Sequence, residues 1–353
     1  MIKREKIMSL KNFKNSLLDR DADVFIINSQ PMLRYVSQFT GTEGYVLIFK
    51  GKLVGFFDTR YALQSKTECS FDEIYLFEDK TQVLGEVAKH CKGLHVCFDA
   101  NATTMSQDQL YKSLFTKMSY VDTFDFRMIK SDQEIEVIKK GIAIADNILE
   151  LTIPMIKPGM RENEVVGLLF MNMIAQDIKH FSFNTIVASG IRSAFPHGVA
   201  SSKVIEANDI ITIDFGIMYE GYCTDMTRTT FLGEANPKLV EIYNVVLEAN
   251  ELAIAACRPN ITGEEIDLVA RDHIALKGFG QYFIHGTGHS LGLEIHEAPY
   301  VRKGAKTLLQ PGMLVTIEPG IYIEGLGGVR IEDVVLITED GFEVLTKSPK
   351  HLK

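Results

Sequence analysis

Along the first 125 residues the apolar positions change period repeatedly, as alternating helices and strands would make them do. Leu10, Phe13, Leu17 and Leu18 recur at helical spacing and predict a helix over about 8–20. Strands are predicted at 23–27, 45–50, 53–58 and 94–98, and helices at 81–92 and 106–117. The character then shifts. Ser131-Asp132-Gln133-Glu134 has the capping-box pattern, and the helix it opens carries Ile135, Ile138, Ile142, Ala145 and Ile148 on one stripe. This places a domain boundary at about 126, giving an α/β domain at 1–126 and a second domain at 127–353.

The second domain reads as an internal duplication. A long helix ends before Lys157-Pro158-Gly159 and a shorter one follows from Glu162. A second long helix ends before Arg258-Pro259-Asn260, again followed by a shorter one from Glu264. The two prolines are 101 positions apart, Asp214 and Glu318 are 104 apart, and Asp225 and Glu332 are 107 apart. A near-constant offset over three features predicts two copies of a helix–turn–helix–strand–strand unit related by a pseudo-twofold.

Four acids in this duplication are expected inside apolar strands, where an unpaired carboxylate is costly. They are Asp214 in Ile213-Asp214-Phe215, Asp225 ahead of Met226, Glu318 after Ile317, and Glu332 after Ile331. Each alone would be read as an ion-pair partner. Near them in sequence pattern is a glycine-rich stretch, His285-Gly286-Thr287-Gly288-His289, continuing to His296. Four carboxylates and an imidazole in one place require positive charge among them. The set is too acidic for a single structural zinc, and two divalent ions would satisfy it. The oxygen-rich shell favours Mn, Co or Fe, with Zn also compatible. Such a centre activates water for attack on an amide or related acyl bond. Arg330, two residues before Glu332, is expected on the same face, where it would pair with Glu332 or with a substrate oxygen. His90-Cys91 and His95-x-Cys97 imitate a zinc cluster, but the spacing is wrong and Cys97 belongs to an apolar strand.

Composition narrows the partners. The chain has 353 residues, 46% hydrophobic and 24% charged, with a net charge of −9. That balance fits a globular protein and argues against nucleic acid as a partner. No apolar run is long enough to span a bilayer, and the basic N-terminus lacks the apolar core of a signal peptide. Five cysteines without regular spacing fit reduced thiols in a cytoplasm.

At these residues the sequence resembles the pita-bread metallopeptidases, specifically the Xaa-Pro peptidases (aminopeptidase P and prolidase). The likeness is carried by Ile186-Val187-Ala188-Ser189-Gly190 with Pro196-His197, by Asp214-Phe215-Gly216, and by Gly221-Tyr222-Cys223-Thr224-Asp225. It continues through His285–His289, His296-Glu297, Thr316-Ile317-Glu318-Pro319-Gly320 and Gly328-Val329-Arg330-Ile331-Glu332-Asp333. The first domain resembles the creatinase-type N-terminal domain more loosely, through Arg34-Tyr35, Phe39-Thr40-Gly41 and Asp58-Thr59-Arg60-Tyr61. The resemblance implies an α/β creatinase-like domain before a pita-bread catalytic domain. It implies the metal ligands Asp214, Asp225, His289, Glu318 and Glu332, with Asp225 and Glu332 bridging two ions and Glu318 also handling a proton. His197, His285 and His296 would line the substrate side, and Arg330 would orient Glu332 or touch substrate. The implied enzyme is a homodimeric aminopeptidase of the aminopeptidase P type, acting on peptides with proline second; the alternative is prolidase, restricted to dipeptides. A metal-free binding protein of the same fold is disfavoured by the intact ligand set.

Overall fold

The computed structural model describes Phe13 and residues 15–350. The chain divides into two compact units, residues 1–127 and 128–353.

Unit one is a six-stranded mixed sheet. Its strands are β1 (Val24–Ile27), β2 (Tyr45–Phe49), β3 (Leu53–Asp58), β4 (Glu73–Phe77), β5 (His95–Asp99) and β6 (Lys117–Val121), in the order β4-β3-β2-β1-β5-β6. Strands β1 to β3 pair antiparallel, whereas β4, β5 and β6 join parallel. Alternation along β1 sends Phe25 and Ile27 into one buried cluster and Val24 and Ile26 into another, so both faces of the sheet are covered. Of the helix expected at 8–20, Phe13 and residues 15–19 are helical, and the rest of its first half lies outside the described residues. Helices at Lys80–His90 and Met105–Leu114 match the expected ones in place. Cys97 lies in β5 and is fully buried in the core, as a core strand requires.

Unit two repeats one plan twice. In the first half, the helices Asp132–Thr152 and Glu162–Ile174 pack against β7 (Ile186–Ser189) and β8 (Ile210–Phe215) through Ala145, Ile148, Val165, Leu169, Ile211 and Ile213. A short hairpin, β9 (Met218–Tyr219) and β10 (Tyr222–Cys223), leads to β11 (Met226–Phe231), and the sheet runs β11-β8-β7. In the second half, the helices Pro237–Ala256 and Gly263–Leu276 lead to β12 (Gly288–Ser290) and β13 (Glu297–Val301). There follow β14 (Leu314–Ile317), β15 (Gly320–Ile323), β16 (Gly327–Arg330), β17 (Asp333–Ile337) and β18 (Phe342–Val344), with sheet order β14-β17-β18. Val246, Ile266, Val315, Ile317 and Val335 belong to this half's own core.

The repeat extends to individual hydrogen bonds. Gly159 N and Ile205 N donate to Ile205 O and Met160 O, and Asn260 N and Leu309 N donate to Leu309 O and Ile261 O. Both turns need a left-handed residue after their proline, Gly159 (φ +91°) and Asn260 (φ +64°), two residue types that tolerate it. Among the described residues, no helix is long and apolar enough to cross a membrane.

Candidate metal centre

Asp214 lies inside β8 between the fully buried Ile213 and Phe215, paired in register with Thr227 of β11. The other three acids were expected within strands and are instead at strand ends. Asp225 immediately precedes β11, Glu318 immediately follows β14, and Glu332 sits between β16 and β17. The reason is geometric. At a strand end a side chain can leave the pleat and turn toward its neighbour, while the adjacent residue keeps its place in the ladder. Pro319 enforces this at Glu318, because it has no N–H with which to continue the ladder. The two halves are joined where the acids meet, Glu332 N donating to Thr227 O at 3.1 Å, and within the second half Glu318 N donates to Thr287 O at 2.8 Å.

His289, in β12, is held by its backbone N–H donating to Thr316 Oγ1 at 3.0 Å. Its Nδ1 lies 3.0 Å from Ser290 O, an acceptor only, so the proton belongs on Nδ1 and the Nε2 lone pair faces the acids. That Nε2 is 3.3 Å from Glu318 Oε1 and 3.6 Å from Asp225 Oδ2. One ligand atom each from Asp225, His289 and Glu332 lies within 4.8 Å of the others.

Electrostatically the cluster is unbalanced. Burial, then the charges of Glu332, Asp214 and Glu318, push the Asp225 carboxyl well above the usual range. Glu332 is driven the same way by burial and by Glu318 and Asp214. Burial raises Glu318 to about 7, against the pull of Arg330. Burial also lowers His289, and takes His285 down to about 4, so neither imidazole supplies the missing positive charge. Asp214 Oδ1, Asp225 Oδ1 and Glu332 Oε1 are buried with no hydrogen-bond partner. Unpartnered buried carboxylate oxygens beside an imidazole lone pair fit divalent cations, which would replace the protons that burial otherwise forces onto these acids.

Arg330 corrects one expectation. Its Nη2 is 2.6 Å from Asp214 Oδ2, and no direct bond runs to Glu332. The period-2 argument fails because the chain leaves β16 at Ile331, before Glu332. Arg330 reaches Glu332 only through Thr227: Nε donates to Thr227 Oγ1 at 3.1 Å, which donates to Glu332 Oε2 at 2.7 Å. Its Nη1 donates to Pro196 O at 3.0 Å and Tyr322 Oη at 2.8 Å. Tyr322 Oη is in turn 2.9 Å from His285 Nε2. The His296 ring stands edge-on to His289 at 4.5 Å, with His296 itself exposed. His197 is exposed on the loop after β7, close enough for its charge to act on Glu318, His285 and His296. All the sequence-selected side chains thus gather in one region. Sequence reasoning missed Tyr322, Thr227 and Thr316, ordinary strand residues by pattern; only the need of a buried hydroxyl for a partner marks them.

The family model of metallopeptidase family M24 matches residues 136–339, and that of the creatinase/prolidase N-terminal domain matches 10–129. The chain belongs to metallopeptidase family M24. It is therefore a hydrolase of a family that works with divalent metal, built as a creatinase-type domain before a pita-bread catalytic domain. A solved Xaa-Pro dipeptidase from Bacillus anthracis is 42% identical, with a TM-score of 0.94 and 99% of each chain covered. The Xaa-Pro dipeptidase of Pyrococcus horikoshii is 38% identical over 99% of this chain and 99% of its own length. An X-Pro aminopeptidase structure from Thermotoga maritima is 37% identical, with a TM-score of 0.87, covering 94% of this chain and 97% of that one.

Proposed function

We propose that this M24 peptidase is an Xaa-Pro dipeptidase, a prolidase, cleaving the bond before proline in dipeptides. The aminopeptidase P type was the first expectation. The observation that shifts the reading is full-length similarity to dipeptidases, at 42% identity and a TM-score of 0.94 for one of them. The X-Pro aminopeptidase likeness keeps longer peptides as the second reading.

Asp214, Asp225, His289, Glu318 and Glu332 would hold two divalent ions, with Asp225 and Glu332 shared between them; Mn fits this oxygen-rich set, as do Co, Fe and Zn. Bound there, the ions would supply Lewis acidity and water activation. The chain's own residues do the rest. Glu318, among the ligands, is suited to take a proton from the attacking water and return it to the departing prolyl nitrogen. His197 and His296 would donate to the scissile carbonyl oxygen as negative charge grows on it. Tyr322 holds His285 on the substrate side, and Arg330 fixes Asp214 and Tyr322 together. Residues 1–126 would serve as the creatinase-like N-terminal domain and 127–353 as the catalytic one. Five free cysteines support a reducing, cytoplasmic setting, and a homodimer is proposed on the resemblance to the Xaa-Pro peptidases alone.

The test is a peptide series, Ala-Pro, Ala-Pro-Gly and Ala-Pro-Gly-Gly, given to metal-stripped and Mn-reloaded enzyme. The expected result is Mn-dependent cleavage of Ala-Pro alone. Faster turnover of the longer peptides would restore the aminopeptidase reading. Undiminished activity after stripping would end the metal mechanism.

A further inference from the structure

The loop that carries His197 runs from Ser189 to Ser201, and both of its ends are tied to one side chain, Glu162. Glu162 is the first residue of the helix Glu162–Ile174 and is 0% exposed. Its Oε1 accepts from Ser189 N at 2.8 Å and Ser189 Oγ at 2.9 Å. Its Oε2 accepts from Ser201 N at 3.1 Å, from Ser201 Oγ at 2.7 Å and from Arg192 Nη1. Arg192 crosses the loop, donating Nη2 to Val199 O at 3.1 Å. The same helix start adds backbone ties, Glu162 N to Lys203 O and Asn163 N to Ser201 O, both at 3.1 Å. At the loop's apex Arg330 Nη1 holds Pro196 O, the residue before His197.

A helix-start acid ordinarily faces solvent, where the helix dipole accounts for it. Glu162 is instead desolvated completely, a cost met by five donors, two of them backbone N–H groups at opposite ends of one loop. Short loops with free ends sample many conformations, and pinning both ends removes most of that freedom. We propose that Glu162 is a positioning residue: through Ser189, Ser201 and Arg192 it sets where His197 stands over the scissile carbonyl. This rests on the substrate-side role given to His197 above. Sequence analysis passed over Glu162 because it resembles any acid in a first helical turn.

The experiment is a double-mutant cycle of Glu162→Gln and His197→Ala in Mn-loaded enzyme, assayed on Ala-Pro, with metal content and Tm measured for each variant. A glutamine amide would face donors with a donor and let the loop drift. We expect kcat to fall by about 10²-fold, as an ångström of misplacement does, with KM nearly constant and the bound Mn unchanged. In the His197→Ala background the same substitution should cost almost nothing more. If Glu162→Gln multiplies its full loss onto His197→Ala, or leaves kcat intact while His197→Ala does not, the inference is overturned. Full activity of His197→Ala would overturn the role of His197 itself, and this inference with it. Should Glu162→Gln fail to fold, Ser201→Ala, which removes one hydroxyl donor, is run through the same cycle and read in the same way, with a smaller loss expected.

Discussion

A single carboxylate oxygen shows how this centre is balanced. Asp225 Oδ1 is buried and has no hydrogen-bond partner, and burial with three neighbouring acids pushes its proton affinity up. Asp225→Asn keeps the shape but removes the charge a cation would need. The variant should lose activity by more than the roughly 10–100-fold seen for lesser metal-site partners, and bind less than the full Mn complement. Plasma emission spectrometry on the dialysed variant checks this, and a fully loaded, active variant would contradict the ligand assignment. Arg330 belongs at the same scale. Its guanidinium makes four hydrogen bonds, to Thr227, Pro196, Tyr322 and Asp214, a reach that a lysine's single ammonium cannot copy.

At the scale of elements, close backbone approach places His289. A Cβ at Gly288 would stand 1.9 Å from Thr316 O of the neighbouring strand. Gly288→Ala should therefore push β12 off β14, costing about 1–3 kcal/mol as overpacked sites do, and displace the imidazole. Chemical denaturation should show the loss and metal titration a weaker affinity; unchanged values for both would refute it. The elements themselves were unevenly legible. Long amphipathic helices announced themselves through caps, as Ser131 and Glu134 did. The helix Gln30–Ser37 went unread because eight residues are too few to display a period. Strand β6 went unread, and the helix expected at 106–117 overran its first residue, because its Lys117-Met118-Ser119-Tyr120-Val121 is an edge strand with little apolar alternation. The site was more legible than the fold around it, since acids among apolar residues advertise their cost. What could not be read was direction: period 2 puts Arg330 beside Glu332, and the break after β16 turned it toward Asp214 instead.

For the molecule as a whole, the raised carboxyls set how stability follows pH. In an unfolded chain these groups ionise near pH 4, whereas in the metal-free fold Glu318 holds its proton to about 7 and Asp225 and Glu332 well above the ordinary range. Below pH 4 both states are protonated and nothing differs. As pH rises from 4 to 7 the unfolded chain sheds protons that the metal-free fold retains, so these groups erode stability over that window. Cations reverse the sign by taking the protons' place. Stripped enzyme should accordingly lose more Tm between pH 4.5 and 7 than stripped Glu318→Gln does, and Mn at 100 times its Kd should add about 2.7 kcal/mol. Calorimetry of the two stripped proteins decides, and parallel pH profiles would refute the account.

The ligand set is divided between the repeats, Asp214 and Asp225 from one, His289, Glu318 and Glu332 from the other. Each repeat has its own apolar core, and the exposed turn at Gly233 and Glu234 is where the first gives way to the second. Manganese would then act as a rivet between two pieces. Severed at that turn and expressed separately, the fragments should find each other far more tightly with Mn²⁺ than with a chelator, a complementation that a fluorescence-labelled pull-down would quantify.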